Sequence, residues 1–176
     1  RHPIRIEISR PSTVAEGISQ ILYPVSQAQK CDLLLALLAS TEMKSVLVFS
    51  RTKHGADKVS HRLQQNGYRV GVMHSNRSQS QRKAALDDFR HGRSQILVAT
   101  DIAARGIDIT HISHVVNYDI PEHAEDFVHR IGRTGRAGVS GEAITFADEE
   151  SGFMLPAIED FIGRPLTYIH PDDALR

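Results

Sequence analysis

Short apolar runs alternate along this chain with longer amphipathic stretches, and this alternation constrains the fold more than any other feature. Val46–Phe49 and 96–99 are two such runs, each bounded by polar residues. Such a run is typical of a strand that is buried on both faces. The stretches between the runs have the spacing of helices, and one of them, 53–65, ends at Asn66-Gly67. We therefore predict an α/β fold of three layers, with a central parallel sheet and helices on both faces.

The same alternation defines the predicted elements and the organisation of the chain. The predicted strands of the sheet are 46–49, 69–73, 95–99, 115–118 and 142–147, and the predicted helices are 27–39, 53–65, 78–91 and 122–131. Ser78 is predicted to cap one helix, Asp119 to cap another ahead of Pro121, and a last helix that contains Pro156 is predicted after Asp148.

Three regions are predicted from this pattern. Residues 1–26, in which Ile4, Ile6 and Ile8 alternate with polar residues, are expected to be a strand-and-linker lead-in. Residues 27–170 are expected to form one domain, and residues 171–176 a tail.

Unusual polar residues follow three of the predicted strands. Ser50-Arg51-Thr52-Lys53, His74-Ser75-Asn76-Arg77 and Thr100-Asp101 each come directly after an apolar run. Because ligands of parallel α/β sheets bind at the carboxyl ends of the strands, we expect these segments to share one binding edge.

Composition narrows the possible classes of protein. Lys plus Arg and Asp plus Glu are 21 each, so a surface that binds nucleic acid would have to be local. Cys31 is the single cysteine and is expected to be a buried, reduced thiol. No run approaches the roughly 20 apolar residues of a membrane span, so we expect no membrane partner and a cytoplasmic location. His111 and His114 lie three positions apart, but no Cys or acidic ligand joins them in a plausible metal geometry, so no metal site is predicted.

The segment His129–Arg136 holds three arginines around two glycines. These cations would repel one another unless an anion or carboxylates lay close by. Arginine offers a planar fork for phosphate oxygens, and glycines at 132, 135, 138 and 141 would let the backbone bend around a ligand. The alternative is a solvated basic end of a helix.

A second segment, 97–108, opens from an apolar run into polar residues and a glycine turn. The hydroxyl of Thr100 can donate to a phosphate, and Asp101 and Asp108 can balance the arginines or accept from a sugar hydroxyl. Alternatively, Asp101 merely caps a short helix.

These two segments, together with 47–53 and Gln79-Ser80-Gln81-Arg82, resemble the C-terminal motifs of DEAD-box RNA helicases. The octapeptide at 129–136 is highly specific to that family, whereas the Ala-Thr-Asp and Ala-Arg-Gly-Ile-Asp pieces recur more loosely among superfamily 2 helicases. Ser50–Gly55 further resembles the bacterial RhlE-type subgroup. The chain has His74-Ser75 where family members usually have His-Gly.

The resemblance implies a RecA-like domain whose Arg133 and Arg136 are arginine fingers on the γ-phosphate of ATP. It also implies that the ATP and its Mg²⁺ are held mainly by an N-terminal RecA-like domain. Asp108 would contact the ribose, and His129 would bind ATP and link the site to that domain. The other residues implied in the motif network are Asp101, Arg105, Arg130 and Gly132. The residues implied in RNA binding are Arg51, His74, Ser75, Gln79, Arg82 and Thr100.

The sequence has no Gly-Lys pair, and hence no phosphate-cradling loop of the Walker type, and no Asp-Glu-Ala-Asp box. We therefore expect the C-terminal half of a longer ATP-dependent RNA helicase that does not hydrolyse ATP alone. Two other functions stay open, a DNA helicase or translocase domain of the same superfamily and a non-catalytic interaction module.

Overall fold

The computed structural model describes residues 17–105, 109, 112–135 and 140–174. Its strands are β1 (Ile18–Pro24), β2 (Val46–Phe49), β3 (Val70–Met73), β4 (Ile96–Ala99), β5 (His114–Asn117), β6 (Gly141–Ala147) and β7 (Thr167–Tyr168). Its helices are α1 (Lys30–Ser40), α2 (Lys53–Gln65), α3 (Gln79–Arg90), α4 (Asp101–Ala104), α5 (Ala124–Ile131), α6 (Leu155–Ile162) and α7 (Pro171–Ala174). Two short 3-10 turns, Gln27–Gln29 and Gly152–Met154, precede α1 and α6.

The described strands form one sheet in the order β3-β4-β2-β5-β6-β1-β7, and every pairing is parallel. All four residues of β2, of β4 and of β5 are buried, as predicted for strands covered on both faces. The predicted strands, and the helices between them, are confirmed to within two residues at each end, except that α1 begins at Lys30, three residues after the predicted start, because Gln27–Gln29 form a 3-10 turn.

Helices cover both faces of the sheet. Successive side chains of a strand point to opposite faces, and both sets of side chains in β2 are apolar. Val46 and Val48 of β2 pack into a cluster with α1 and α2, whereas Leu47 and Phe49 pack on the other face with residues of α3 and α4. On that second face, α5 and α6 cover β1 and β6 in a further apolar cluster. The predicted three-layer α/β architecture is therefore confirmed.

Local signals placed several helix ends correctly. Ser78 caps α3 through a capping box, in which its hydroxyl accepts from the Gln81 N–H and the Gln81 side chain accepts from the Ser78 N–H. The last helix was predicted to begin after Asp148, but α6 begins at Leu155, after the 3-10 turn at Gly152–Met154. Pro156 therefore lies in its first turn, where the missing N–H costs no helical hydrogen bond.

Asp119 does not cap α5, so that prediction is wrong. The N-cap residue of α5 is His123, and no side chain caps this helix end. The carboxylate of Asp119 lies instead between the Lys30 ammonium and the Arg51 amide, 3.0 Å and 2.8 Å away. A buried cation attracts a carboxylate more strongly than the N-terminus of a helix does.

Strand β1 lies inside the sheet, hydrogen-bonded between β6 and β7. The predicted boundary at residue 26 stays a prediction, but the strand on its N-terminal side is part of the sheet. The alternating isoleucines at 4, 6 and 8 lie outside the described residues.

Candidate functional site

The loops that follow β2, β3 and β4 lie at one edge of the sheet. Phe49 and Met73, the last residues of their strands, both pair with Ala99. Beyond the strands, the Ser50 N–H donates to the Ala99 carbonyl at 3.0 Å and the Thr100 N–H donates to the Met73 carbonyl at 3.2 Å. The predicted shared edge is therefore confirmed, and the polar loops are held to one another by main-chain hydrogen bonds.

A cavity of about 320 Å³ opens on the face of the sheet that carries α4 and α5. The predicted site residues that line it are Asp101, Arg105, His129, Arg130 and Arg133. Phe49, Ala104 and Asp126 complete its lining. Helix α5 ends at Gly132, which brings Arg133 to the cavity directly after the last helical turn. Segments almost 30 residues apart in sequence are thus brought together at one site.

Arg130 is held as a structural cation. Its side chain is 1% exposed, and its Nε and Nη2 donate to the two carboxylate oxygens of Asp101, both at 2.7 Å. Its Nη1 donates to the Asp119 carbonyl at 2.6 Å and to Asn117 Oδ1 at 3.2 Å, and its guanidinium lies 5.0 Å from the centre of the Phe49 ring. This bidentate pairing neutralises Arg130, so the carboxylate predicted to balance the arginines is found here.

The other basic residues of the site have a different environment. Arg133 is half-buried and its Nη2 donates to the Ala104 carbonyl at 3.4 Å, a long hydrogen bond. Arg105 and His129 are exposed at the cavity. The two aspartates of the lining are Asp101, which is bound to Arg130, and Asp126. The cavity lining therefore contains two arginines besides Arg130 and one carboxylate besides Asp101, so its charged residues are predominantly basic.

Two of the glycines near this segment, Gly135 and Gly141, are packed tightly within the protein, and the expectation that the glycines bend around a ligand stays a prediction. Gly135 has a φ of +66°, and a Cβ atom there would lie 2.8 Å from the Ile18 side chain. A Cβ at Gly141 would overlap Thr134 and Gly135, while Gly132 has an ordinary helical φ of −66°. Gly138, Arg136 and Asp108 lie outside the described residues.

The residues predicted to bind RNA lie along the carboxyl edge, in differing environments. The side chains of Arg51, Ser75 and Gln79 are exposed, and that of Thr100 is half-buried. Arg82, on the first turns of α3, is half-buried, and its Nε is buried without a hydrogen-bond partner among the described residues.

The His74 side chain is buried and supports its loop. Its Nε2 lies 2.8 Å from Asp57 Oδ1, and its Nδ1 accepts from the Asn76 N–H at 3.2 Å. Since Nδ1 accepts, Nε2 carries the proton and donates to Asp57. Both ring nitrogens of His74 are thus hydrogen-bonded within the protein, so this residue offers a ligand only its main-chain groups.

Sequence reasoning missed Lys30. This lysine is 0% exposed, and its Nζ lies 3.0 Å from Asp119 Oδ1 and 2.7 Å from Asp148 Oδ2. Burial raises the pKa of Asp148, but hydrogen bonds from Lys30 and Ser151 outweigh burial and hold it at about 2. The available signal was a lysine at the start of an apolar helix, Lys30-Cys31-Asp32-Leu33, but its two partners are remote in sequence.

Comparison with known proteins now identifies the family of this chain. The model of the helicase conserved C-terminal domain matches residues 29–138, which is more than half of the chain. The chain belongs to the helicase C-terminal domain family. The matched range begins just before Lys30 and includes every predicted site residue.

Curated relatives of this helicase C-terminal domain are RNA helicases. The ATP-dependent RNA helicase RhlB of Shewanella sp. strain MR-4 is 42% identical over 174 residues, covering 98% of this chain and 40% of that protein. RhlB of Shewanella baltica strain OS155 is 43% identical over 164 residues, covering 93% of this chain and 37% of that protein. The chain thus spans about two fifths of the length of these relatives.

Solved structures agree on the fold. S. cerevisiae Dbp5 bound to RNA and ADP BeF3 superposes with a TM-score of 0.87 at 35% identity, over 96% of this chain and 46% of that one. The C-terminal domain of the DEAD-box protein Dbp5 gives 0.84 at 36% identity, over 91% and 94% of the two chains. The RecA-like fold of a DEAD-box C-terminal domain is therefore confirmed.

The expected RhlE-type subgroup is not supported, because these curated relatives are RhlB helicases. The segment that suggested it, Ser50–Gly55, leads into α2, and the N-cap residue Thr52 accepts there from the Gly55 N–H through its Oγ1. Capping chemistry constrains such residues in any subgroup.

Among the described residues, no helix is both long enough and apolar enough to cross a bilayer.

Proposed function

We propose that this helicase C-terminal domain is one half of an ATP-dependent DEAD-box RNA helicase, which supplies arginines to ATP and binds the RNA backbone. The observation that carries the proposal is that two arginines of the segment His129–Arg136 have different environments. Arg130 is neutralised by Asp101, whereas Arg133 lines the cavity together with Arg105 and His129. Arg130 is thus held within the protein, and Arg133 lines the cavity where the phosphates would bind.

The chemistry of the cavity fits the phosphates of ATP better than a metal ion. Its cations match phosphate oxygens, for which the arginine fork has the right geometry. Both oxygens of Asp101 accept from Arg130, so this carboxylate is not available to hold Mg²⁺. Together with the lack of a Walker loop, this supports a Mg²⁺ site and most of the ATP site on an N-terminal RecA-like domain.

In this proposal Arg133 and Arg136 are the catalytic residues. They would stabilise the charge that develops on the phosphoryl oxygens, an effect worth roughly a thousandfold or more in rate for arginine fingers. Asp108 would accept a hydrogen bond from the ribose, and His129, exposed at the rim of the cavity, would contact the neighbouring domain.

RNA binding is proposed at the carboxyl edge. Arg51, Arg82 and Thr100 would contact phosphate and sugar, Gln79 would position the strand, and the loop at His74-Ser75 would offer main-chain groups. Arg82 Nε is a donor that lacks an acceptor among the described residues, which fits a phosphate oxygen as its partner. Such contacts do not read base sequence, and they weaken as salt is raised.

The two ligands would act together at the cleft between two domains. With ATP and RNA bound across it, closure would bring Arg133 to the phosphates and bend the RNA, and hydrolysis would reopen the cleft. The reaction is proposed to take place in the cytoplasm, which fractionation of cells would check.

The test is an ATPase assay on the longer protein that carries this chain, with single-stranded RNA and with DNA of the same sequence. The proposal predicts stimulation by RNA and much weaker stimulation by DNA. Equal stimulation by both would indicate a DNA helicase or translocase. RNA binding without any turnover would indicate a non-catalytic interaction module.

A further inference from the structure

Asp119 joins the nucleotide cavity to the RNA edge through two different groups. Its main-chain carbonyl accepts from Arg130 Nη1 at 2.6 Å, and Arg130 lines the cavity. Its carboxylate accepts from the Arg51 N–H at 2.8 Å and lies 3.4 Å from Ser50 Oγ. A single residue is thus hydrogen-bonded to both candidate ligand sites.

The surroundings of Asp119 fix it in place. Its N–H and the Tyr118 N–H both donate to the Phe49 carbonyl, at 3.4 Å and 3.1 Å, which attaches the residue to the end of β2. Its other carboxylate oxygen binds the buried Lys30 at 3.0 Å, and Lys30 is itself held by Asp148. The carboxylate of Asp119 is thus held by Lys30, Ser50 and Arg51 at the same time.

The loop that Asp119 holds begins at Ser50, directly after the last residue of β2. Ser50 is fully buried and Arg51 has an exposed side chain, so the amide between them sits where the chain emerges from the core. A charge-assisted hydrogen bond to that amide sets the direction in which Arg51 leaves the sheet.

We infer that Asp119 is a positioning residue that couples the nucleotide site to the RNA site, by linking Arg130 to the Arg51 loop. This rests on the proposed function. When Arg130 shifts with the arginine segment on nucleotide binding, the Asp119 main chain moves with it and the carboxylate carries the Arg51 loop along. Coupling of this kind is reciprocal, so RNA that orders the Arg51 loop also favours the nucleotide-bound arrangement of Arg130.

The Asp119 side chain can be removed while the hydrogen bond between the Asp119 carbonyl and Arg130 is kept. Asp119→Ala keeps the main-chain carbonyl that Arg130 binds, and Lys30 keeps Asp148 as its partner. Asp148→Ala is the matched control, since it removes the other carboxylate of the same lysine and leaves the Arg51 hydrogen bond intact. Asp119→Asn is the conservative variant, because its amide oxygen can still accept from the Arg51 N–H.

The experiment measures the dissociation constant of single-stranded RNA with and without a non-hydrolysable ATP analogue, on the longer protein that carries this chain. The ratio of the two constants reports the coupling. Asp119→Ala is expected to reduce this ratio by about tenfold, the effect of one charge-assisted hydrogen bond. Asp119→Asn should retain part of the ratio and Asp148→Ala most of it.

An unchanged ratio in Asp119→Ala, or an equal loss in Asp148→Ala, would overturn the inference and leave the proposed function intact. If the unaltered protein shows no dependence of RNA affinity on nucleotide, the proposed function itself fails.

A second measurement does not depend on the folding of any variant. Hydrogen exchange of the Arg51 amide should slow in the unaltered protein when the ATP analogue binds without RNA. Unchanged exchange at this amide would contradict the inference.

Discussion

Removal of the Arg130 guanidinium tests whether this residue builds the site. In Arg130→Met the side-chain stem still packs on Phe49, but three acceptors lose their donor, namely the Asp101 carboxylate, the Asp119 carbonyl and Asn117 Oδ1. Loss of one partner of a buried ion pair typically costs about 3–5 kcal/mol. The Asp101 side chain is 30% exposed and regains some water, so we expect the low end, about 3 kcal/mol.

A double-mutant cycle isolates the ion pair from the other contacts. Asp101→Asn alone should cost about 2 kcal/mol, and the double variant no more than Arg130→Met alone, since it contains no unpaired charge. The coupling energy is therefore expected to be about 2 kcal/mol.

The assay is urea unfolding of the chain, followed by circular dichroism because the sequence contains no tryptophan. Arg105→Met, which removes an exposed cation at the same cavity, is the control and should change stability by less than about 0.5 kcal/mol. The structural role assigned to Arg130 would be refuted if the costs of the two single variants summed to the cost of the double variant within about 0.5 kcal/mol.

Three further predictions concern other parts of the structure. Gly141→Ala places a methyl group against Thr134 and should lower the free energy of unfolding by about 2 kcal/mol. The control Gly152→Ala, which has open space around the new methyl group, should change this free energy little. Similar unfolding curves for the two variants would contradict the prediction. Asp148, with its pKa lowered from 3.8 to about 2, contributes about 2 kcal/mol above about pH 4 and loses it as the pH falls through about 2. The stability difference between Asp148→Asn and the unaltered chain should therefore shrink over that interval in acid titrations, and a constant difference would argue against the pairing with Lys30. Burial raises the pKa of the Cys31 thiol, so a thiol reagent at about pH 8 should modify it far more slowly in the folded than in the unfolded chain, and equal rates would contradict its burial.

The sheet could be predicted because its signals are local. The continuous apolar run of β2 reflects burial on both faces, and the bounds of α2 follow from Thr52 at one end and Asn66-Gly67 at the other. Strand β7 was missed because it has only two residues, which are exposed and are placed by their pairing with β1. A strand of this kind has no pattern of its own in the sequence.

The sequence predicted which residues lie at the candidate site but not what each of them does there. Arg130 and Arg133 are the same residue type three positions apart, and only the phase of α5 makes the first a buried structural cation. The Lys30 and Asp119 pair spans 89 residues, and Asp119 has a plausible local function as a helix cap. Sequence spacing favoured that local function, whereas the folded chain uses the residue for a long-range contact.

The measurement that most directly tests the proposed role of the arginine segment is the rate of ATP hydrolysis at saturating RNA in Arg133→Ala and Arg136→Ala variants of the longer protein. Lys44→Ala, which removes an exposed cation ahead of β2, is the control. We predict that kcat falls roughly a thousandfold in each arginine variant while the dissociation constant for RNA changes much less. A kcat equal to that of the control would contradict the role of these arginines in catalysis.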